Sequence, residues 1–572
     1  MKISLRNEAI EERFHDCAGR PLGGARGKKN RQPAPLEMTV LRLATMLFVV
    51  AFAVTALSFF APQALAQVTF ERLLNSSREP QNWMTYSGDY AGHRFSALDQ
   101  INASNAATLV PKWAYQTMAG GKFEATPLVV DGILYGTGQD DRVFALDARS
   151  GRPIWQYQQA LPVDIRPCCG RVNRGLAILG DKVFVATLDA HVIALDRKTG
   201  NVVWDVHAAE HAKGYSFTLA PLVIKNLVIV GMSGGEYGIR GFIDAYDAAT
   251  GERKWRFNTI PGPGEPGHET WEGDSWKTGG SPAWITGTYD AATNTTFWTT
   301  GNPSPSNRGE GRAGDNLYSN SLLALDPDTG KLKWHFQFTR HDEHDYDATQ
   351  VPVMIDDGGR KLIAQANRNG FFYLIDRSSG KLLFATPYGR VTWSDSRDAN
   401  GVPVERKEAS PTLEGVPVCP GAYGATNWMS PTYDPQTKLF YVTAREQCDI
   451  FSTAPQPYEA GHAYYGSAYF PNDEAQPFWG ALRALDPATG KLKWEWKHTS
   501  PSWAGVLSTA GGLVFTGDAE GNVIALDAAS GKVLWHFQCG ASVFASPMSF
   551  AIDGKQYLAV AAGSALFTFG LP

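Results

Sequence analysis

The 572-residue sequence is poor in cysteine and has no haem-attachment motif. Its six cysteines are Cys17, Cys168, Cys169, Cys419, Cys448 and Cys539. None stands in a Cys-x-x-Cys-His pattern, so the chain offers no site for covalent attachment of a c-type haem. Any haem that serves this protein must therefore belong to a separate partner.

Long apolar runs are also absent after residue 66. Before that point, basic residues within 26–42 precede an apolar run at 43–61, and residues 64–66 read Ala-Leu-Ala. This order is typical of a signal peptide with its cleavage site. We predict a leader over 1–66 and one mature domain over 67–572, exported to the periplasm, where disulfides persist. An uncleaved anchor is the alternative, because the apolar run is nearly long enough to span a bilayer.

An excess of positive charge is missing as well. The whole chain carries a net charge of −5. Nine basic and five acidic residues before position 67 give the leader a charge of +4, so residues 67–572 carry −9. Phosphate contacts require clustered lysine and arginine, so we expect no nucleic-acid partner. A basic protein partner fits this surface better.

The most prominent feature that is present is a repeat, Ala-x-Asp-x-x-Thr/Ser-Gly-x-x-x-Trp. It occupies 145–155, 194–204, 245–255, 324–334, 484–494 and 525–535; a seventh copy at 374–384 ends in Phe384, and a degenerate eighth ends at Trp113. The Asp and Gly predict a tight turn between short strands, and the Trp predicts a packing wedge between sheets. Repeats of this kind with about four strands each indicate an all-β, eight-bladed β-propeller with Trp-type docking repeats.

Two intervals between repeats are longer than the others. One separates Trp255 from Trp334, and the other separates Phe384 from Trp494. Insertions in a propeller form loops on one face, where binding sites are built. We therefore expect function to depend on these two segments.

Adjacent cysteines, Cys168 and Cys169, seldom bind one metal, because consecutive side chains in an extended segment point apart. If oxidised to each other, they would form a hard, flat surface suited to stacking on a planar ligand. Two unrelated free thiols are the alternative. Cys419 and Cys448 could close a loop, and Cys539 is expected to be a small buried hydrophobic residue.

Oxygen ligands for a metal cluster in three segments. Glu236 follows Ser-Gly-Gly, Asn302 lies in Gly-Asn-Pro, and Asp345 and Asp347 belong to an acidic run at 341–347. Carboxylate and amide oxygens form the ligand set of a hard cation. Within a strand, Asp345 and Asp347 would point to the same side. The alternative is a set of solvated loop acids.

A zinc site is a competing interpretation. His341 and His344 are candidate ligands, and residues 207–211 match the inverted zinc-protease pattern. That pattern requires a helix, whereas His207 directly follows the predicted strand that contains Trp204. This position argues against zinc proteolysis.

Taken together, these motifs resemble the pyrroloquinoline quinone (PQQ) dependent alcohol dehydrogenases, with methanol dehydrogenase large subunits as the nearest type. The resemblance rests on the Trp repeats, Cys-Cys-Gly-Arg-Val-Asn-Arg-Gly at 168–175, Gly-Gly-Ser-Pro-Ala-Trp at 279–284, Gly-Asn-Pro at 301–303 and the acidic run at 341–347. It extends over essentially all of residues 67–572.

The resemblance implies a role for each matching residue. A Cys168–Cys169 disulfide would cover one face of PQQ and Trp284 the other, with Arg174 paired to a PQQ carboxylate. Residues expected around the rim and plane of the cofactor are Glu124, Thr218, Ser233, Gly235, Arg368, Asn427 and Trp503. Metal ligands are expected at Glu236, Asn302 and Asp345, and Asp345 is also the implied catalytic base. Cys419 and Cys448 match a second family disulfide.

Asp347 departs from the calcium-dependent members of the family, in which this position is typically small. Lanthanide-dependent members carry Asp there. A trivalent ion of nearly the size of calcium leaves one more positive charge to compensate, which a further carboxylate supplies. We therefore predict a lanthanide site with Asp347 as an additional ligand, and calcium as the alternative.

The expected function is periplasmic oxidation of a small primary alcohol, such as methanol or ethanol, to an aldehyde. Hydride would pass to PQQ, and a soluble cytochrome c would accept the electrons. A homodimer is expected from the resemblance alone. The alternatives are a calcium-type quinoprotein ethanol dehydrogenase and a non-catalytic envelope scaffold propeller. A scaffold predicts neither the adjacent cysteines nor the hard-cation ligands.

Overall fold

The computed structural model describes residues 67–118, 120–472 and 477–572. The predicted leader, residues 1–66, lies outside these ranges, so the signal peptide stays a prediction. Ala66–Pro572 forms one compact unit. Within the described ranges, no helix combines the length and apolar character needed to cross a membrane.

Eight sheets, each with four antiparallel strands, make up most of the described chain. Sheet 1 contains Leu128–Val130, Ile133–Thr137, Arg142–Asp147 and Pro153–Gln158. Sheet 2 contains Ala177–Leu179, Lys182–Ala186, His191–Asp196 and Val202–His207. Sheet 3 contains Leu222–Ile224, Leu227–Gly231, Phe242–Asp247 and Arg253–Asn258. Sheet 4 contains Thr288–Asp290, Thr295–Thr299, Ser321–Leu325 and Leu332–Gln337.

The remaining sheets follow the same pattern. Sheet 5 contains Val353–Asp357, Arg360–Ala366, Phe371–Asp376 and Leu382–Pro387. Sheet 6 contains Thr432–Asp434, Leu439–Glu446, Trp479–Leu485 and Leu492–His498. Sheet 7 contains Leu507–Thr509, Leu513–Gly517, Asn522–Asp527 and Val533–Gln538, with Phe95–Ser96 added in parallel as a fifth strand. Sheet 8 contains Met548–Ile552, Lys555–Ala562, Ala565–Gly570 and Val110–Gln116.

Smaller elements lie outside these sheets. A two-stranded sheet pairs Ser394–Arg397 with Pro403–Glu405, and a three-stranded sheet joins Val416–Val418, Asp449–Phe451 and Tyr469–Pro471. The α-helix Phe70–Leu74 begins after Thr69, whose hydroxyl accepts a hydrogen bond from the Arg72 N–H. The 3-10 helices are Ser76–Arg78, Ala106–Thr108, Gln139–Asp141, His211–Lys213, Gly235–Tyr237, His268–Thr270, Ser275–Thr278 and Lys407–Ala409.

Burial differs between the inner and outer strands of a sheet. In sheet 3, every residue of Leu227–Gly231 is buried, whereas Arg253–Asn258 buries only Trp255. A strand covered on both faces consists of a continuous apolar run, and an outer strand alternates with polar residues. The core therefore lies between neighbouring sheets, and the outer strands face solvent.

The repeated Trp docks each sheet on the next one. The Trp155 indole N–H donates to the Arg197 carbonyl at 2.9 Å, and a methyl group at Gly200 would lie 2.6 Å from the Trp155 ring. The Asp196 carboxylate accepts the N–H groups of the same turn. Equivalent contacts pair Trp113 with Gly151, Trp204 with Gly251, Trp255 with Gly330, Trp334 with Gly380, Phe384 with Gly490 and Trp494 with Gly531. The prediction of a packing wedge is confirmed.

Sheet 8 combines segments from distant parts of the chain. Val110–Gln116 pairs antiparallel with Ala565–Gly570, and the Trp535 indole of sheet 7 donates to the Leu109 carbonyl at 3.1 Å. The degenerate repeat that ends at Trp113 is thus the outer strand of the last sheet. The all-β, propeller-type prediction is confirmed by this arrangement.

Candidate active site

A cavity of about 580 Å³ brings together most of the predicted site residues. Its lining includes Glu124, Cys168, Cys169, Arg174, Thr218, Ser233, Glu236, Trp284, Asp345, Asp347, Arg368, Asn427 and Trp503. Gly235 and Asn302 do not line it. Asn302 instead contacts Asp347, and Gly235 packs against Pro282.

The sheets explain why residues so distant in sequence meet. Arg174, Trp284 and Asn427 each precede the first strand of a sheet by a few residues, whereas Glu236 and Arg368 follow a second strand. In antiparallel neighbours, the start of one strand and the end of the next lie at the same end of the sheet. The site residues therefore converge at one end of the sheets.

The structure joins Cys168 and Cys169 in a disulfide, with Cα atoms 3.8 Å apart. The pair lies at the cavity wall, and a carboxylate oxygen of Glu236 lies within 4.8 Å of both sulfur atoms. Sulfur atoms in a disulfide are not thiolates, so this three-residue cluster is not a metal site. The disulfide provides a flat, rigid wall beside Glu236.

Arg174 lies in a hydrogen-bonded segment that fixes its direction. The preceding residue, Asn173, donates to Asp141 at 2.9 Å and accepts from the Gly175 N–H at 3.1 Å. Arg174 forms an ion pair of 2.8 Å with Glu124, and both side chains are buried. Burial raises the pKa of Glu124, and the charge of Arg174 opposes that effect.

Aromatic rings flank the Arg174 guanidinium. Its central carbon lies 4.9 Å from the Trp284 ring and 5.4 Å from the Trp428 ring. Trp428 stacks in turn on Trp503, with centroids 4.5 Å apart and planes 8° apart. A planar, anionic ligand matches a wall of flat rings with a fixed guanidinium.

Small polar groups complete the rim of the cavity. The hydroxyls of Thr218 and Ser233 share a hydrogen bond of 2.9 Å. The Asn427 side chain donates to the Tyr423 carbonyl at 3.1 Å and accepts from the Trp428 N–H at 3.0 Å. Each of these groups keeps hydrogen-bonding capacity that a polar ligand could use.

The acidic run at 341–347 is not a strand, contrary to our expectation. Asp342 accepts the backbone N–H groups of His344 at 2.9 Å and Tyr346 at 2.7 Å, which bends the segment. Asp345 adopts a left-handed backbone conformation with φ of 60°. Strand alternation therefore does not bring Asp345 and Asp347 together.

Arg368 joins the two aspartates instead. Its guanidinium contacts Asp345 Oδ2 at 2.7 Å and Asp347 Oδ2 at 2.5 Å. Burial raises the pKa of both aspartates, and the charge of Arg368 opposes that rise. Arg368 thus favours the ionised form of Asp347, which is buried, and of Asp345, which is partly exposed to the cavity.

Two groups in the site have no partner for their charge or polarity. Among the described residues, Glu236 forms no ion pair. Its burial, and to a smaller extent the charge of Asp347, raises its pKa to about 7. The Asn302 Oδ1 atom is buried with no hydrogen-bond donor, while the Asn302 N–H donates to Asp347 at 2.8 Å. A buried amide oxygen and an unpaired carboxylate fit a hard cation.

The carboxylates do not yet surround one point. In the described part of the chain, oxygens of Glu236, Asp345 and Asp347 do not all lie within 4.8 Å of one another. Arg368 holds one oxygen of each aspartate. The donor types therefore fit a hard cation, and binding would require the carboxylates to converge.

The zinc interpretation is wrong for both histidine pairs. His207 ends a strand and His211 begins the 3-10 helix His211–Lys213, so the helix that the inverted zinc motif requires is absent there. His344 contacts the Ala409 carbonyl through Nε2 at 2.9 Å, and His341 contacts the Gly314 carbonyl through Nδ1 at 3.0 Å. His341 and His344 are thus engaged by backbone carbonyls, and His207 and His211 lie on a strand and a 3-10 helix.

Several cavity residues were not predicted from the sequence. They are Lys122, Val172, Ser216, Gly234, Tyr423, Trp428, Arg445, Gln447, Tyr465 and Tyr469. Trp428 could have been inferred from its neighbour Asn427. Tyr423, Arg445, Tyr465 and Tyr469 belong to the longer interval after Phe384, which agrees with the expectation that this interval contributes to binding.

Of the three other cysteines in the described chain, two form a disulfide and one is a free thiol. Cys419 and Cys448 form a disulfide with Cα atoms 4.4 Å apart, which closes a loop within the longer interval. Cys539 is a free thiol that is half-buried rather than fully buried. Burial raises its pKa to about 12, so it is not a reactive thiolate.

Comparison with known proteins agrees with this geometry. The family model described as "PQQ: Glucose/ethanol/alcohol dehydrogenase, beta-propeller domain" matches residues 83–405. A second model, "Outer membrane protein assembly factor BamB", matches residues 480–569. A propeller-type fold of the first kind therefore extends over more than half of the chain.

Relatives match over nearly the whole length. The quinoprotein alcohol dehydrogenase PedH of Pseudomonas putida is 41% identical over 90% of this chain and 92% of its own. The quinoprotein ethanol dehydrogenase of Pseudomonas aeruginosa is 39% identical over 93% of both chains. A solved structure titled "Europium-containing methanol dehydrogenase" aligns with a TM-score of 0.83 at 33% identity and covers 88% of this chain and 100% of its own.

These matches and the cavity define an oxidoreductase of the quinoprotein class. The chain belongs to the PQQ-dependent alcohol dehydrogenase family, and it is an enzyme of that activity.

Proposed function

We propose that this enzyme oxidises small primary alcohols, such as methanol or ethanol, to aldehydes in the periplasm, with PQQ and a lanthanide ion as cofactors. The observation that carries the proposal is the single cavity that contains the Cys168–Cys169 disulfide, the Arg174–Glu124 pair and three acidic side chains. A planar quinone and a hard cation are the ligands that such a lining accepts.

The residues that would hold PQQ are those predicted for the rim and faces of the cavity. Trp284 and the disulfide provide flat surfaces, Arg174 provides a guanidinium for a carboxylate, and Thr218, Ser233 and Asn427 provide hydrogen bonds. When bound, PQQ supplies a hydride acceptor and the metal supplies a Lewis acid. The protein's own contribution is to orient the alcohol and to remove its proton.

Asp345 is the proposed base. Arg368 occupies Asp345 Oδ2, so Oδ1 is the oxygen that takes the hydroxyl proton of the alcohol. Burial raises the pKa of Asp345, and the charge of Arg368 opposes that rise and so favours the ionised form that a base requires. Geometry and charge together fit a general base.

The proposed metal ligands are Glu236, Asn302, Asp345 and Asp347. With every carboxyl group ionised, as metal binding requires, the charged side chains that line the cavity are balanced, with cations at Lys122, Arg174, Arg368 and Arg445 and anions at Glu124, Glu236, Asp345 and Asp347. PQQ is a tricarboxylate, so a trivalent ion restores neutrality and a divalent ion leaves excess negative charge. The europium in the structural neighbour supports the same choice. Calcium is the alternative.

We further propose that the eight sheets are the eight blades of one propeller and that residues 1–66 form a cleaved leader. Trp-to-Gly contacts between successive sheets and the Trp535 contact with Leu109 support a continuous ring. The charge of −9 over residues 67–572 fits a basic, soluble cytochrome c as the electron acceptor. A homodimer is proposed from the family resemblance.

A reconstitution experiment tests the proposal. The protein is purified without cofactors, loaded with PQQ and La³⁺, and assayed for aldehyde formation from methanol and ethanol with cytochrome c. We expect a near-ultraviolet quinone absorption band and turnover that stops when either cofactor is omitted. A protein that shows neither after loading would be a non-catalytic propeller.

A further inference from the structure

Arg445 lines the active-site cavity as a buried cation without a carboxylate partner. It lies near the end of the strand Leu439–Glu446, and only 4% of its surface is exposed. Among the described residues, no Asp or Glu oxygen lies within 4.0 Å of its guanidinium. A buried charge in this position is costly unless something compensates it.

Hydrogen bonds to the protein use only part of its donor capacity. Nη1 donates to the Ser502 carbonyl at 3.1 Å, and Nη2 donates to Gln447 Oε1 at 3.3 Å. Nε has no partner. A guanidinium has five N–H donors, so three of those on Arg445 are without a partner in the described structure.

The other arginines of the cavity are compensated. Arg174 pairs with Glu124 at 2.8 Å, and Arg368 pairs with both catalytic-site aspartates. Burial lowers the pKa of Arg445 to about 9, so it still carries its charge at neutral pH. Among the described residues, Arg445 is therefore the buried arginine of this cavity that has no carboxylate within ion-pair distance; Asp449 acts on its charge only from farther away, with Gln447 hydrogen-bonded to both.

A structural role alone does not account for it. Arg94 and Arg312 are also buried without a carboxylate, but each makes three hydrogen bonds to protein oxygens and neither lines the cavity. Arg445 makes two and lies against the face of Trp503, with 3.8 Å between its central carbon and the ring centroid. Trp503 stacks on Trp428, the ring that also flanks Arg174.

We propose that Arg445 anchors a carboxylate group of a ligand in this cavity. The planar fork of arginine matches a carboxylate with two parallel hydrogen bonds. Two ligands can supply that group: a substrate that carries a carboxylate at the end opposite its alcohol, such as 4-hydroxybutanoate, or PQQ itself. The inference rests on the proposed function, because it assumes that this cavity binds both PQQ and the alcohol.

Two binding measurements on Arg445→Met test the proposal and separate the sources. The first is calorimetric binding of butanoate to the PQQ- and La³⁺-loaded enzyme; the second is the Kd of PQQ for the apoenzyme, read from quenching of tryptophan fluorescence. Loss of a charge-assisted pair should weaken one of them at least about tenfold. Weaker butanoate binding assigns the anchor to the substrate, and weaker PQQ binding assigns it to the cofactor.

Matched variants complete the design. Arg445→Lys keeps the charge without the fork and should lose less affinity than Arg445→Met. Lys122→Met removes a solvent-exposed cation of the same cavity and should have the smallest effect.

If both dissociation constants change less than threefold in Arg445→Met, the proposal is overturned. Absence of methanol and ethanol turnover in the unmodified, loaded enzyme would instead count against the proposed function, and the PQQ arm would still decide the role of Arg445.

Discussion

Replacement of Asp347 by Asn should change the metal preference of the enzyme. Asn has the same shape, and its Oδ1 can still accept the Asn302 N–H that Asp347 accepts at 2.8 Å. What disappears is one negative charge that lies beside Arg368 at 2.5 Å and, in our proposal, beside the metal. The variant therefore keeps the Asn302 contact and removes the charge together with the oxygen that accepts from Arg368.

The magnitude follows from the difference between a trivalent and a divalent ion. One extra unit of positive charge about 4 Å from a carboxylate is stabilised by roughly 4 kcal/mol at an effective dielectric constant near 20. Such an energy corresponds to about three orders of magnitude in relative affinity. Arg368 already neutralises part of the field of Asp347, so we take about tenfold as the lower bound of the effect.

The assay is a pair of titrations of the PQQ-loaded, metal-free enzyme with La³⁺ and Ca²⁺, followed by turnover with each metal. We expect Asp347→Asn to weaken La³⁺ binding at least about tenfold more than Ca²⁺ binding. Asp347→Glu, which keeps the charge, should retain the preference for La³⁺. Equal weakening of both metals, or no weakening of either, would refute the argument from charge compensation.

Three further predictions concern catalysis, stability and cofactor binding. Asp345→Asn should abolish alcohol turnover while the Kd of PQQ stays within about threefold, and persistent turnover would remove Asp345 from the role of base. Trp155→Ala should lower the free energy of unfolding in urea by about 3–5 kcal/mol. Ile154→Ala, on the exposed side of the same strand, should lower it by about 1 kcal/mol or less. Similar losses in the two variants would contradict the docking role of Trp155. Reduction of the Cys168–Cys169 disulfide should weaken PQQ binding measured by fluorescence, and an unchanged Kd would exclude the disulfide from the cofactor site.

The fold could be predicted from the sequence because each repeat encodes its own docking contact. Trp155 and Gly200 occupy fixed places in two successive copies, so the periodicity alone indicates that neighbouring sheets meet through them. Phe384 lies against Gly490 as the pattern required, even without the indole. The pairing partner of Val110–Gln116 was harder to predict from the sequence, because most of the chain separates this strand from Ala565–Gly570.

The site was only partly predictable. The family resemblance identified Asp345, Asp347 and Arg368, but not the contacts among them. Local strand geometry suggested that the two aspartates share a side, whereas Asp342 bends the segment and Arg368 bridges them. Such contacts depend on the path of an irregular loop, which residue spacing does not determine. Arg445 was missed for the same reason, since only the folded sheet reveals that its charge is unpaired.

The pairing within sheet 8 has a consequence for biogenesis. Val110–Gln116 leaves the ribosome long before its partner strand Ala565–Gly570 is made. Until that strand arrives, the nascent chain presents an open edge, and such edges invite association with other chains. Glu124 lies a few residues beyond Val110–Gln116, so we expect the cofactor pocket to be complete only after Ala565–Gly570 has been made and has paired.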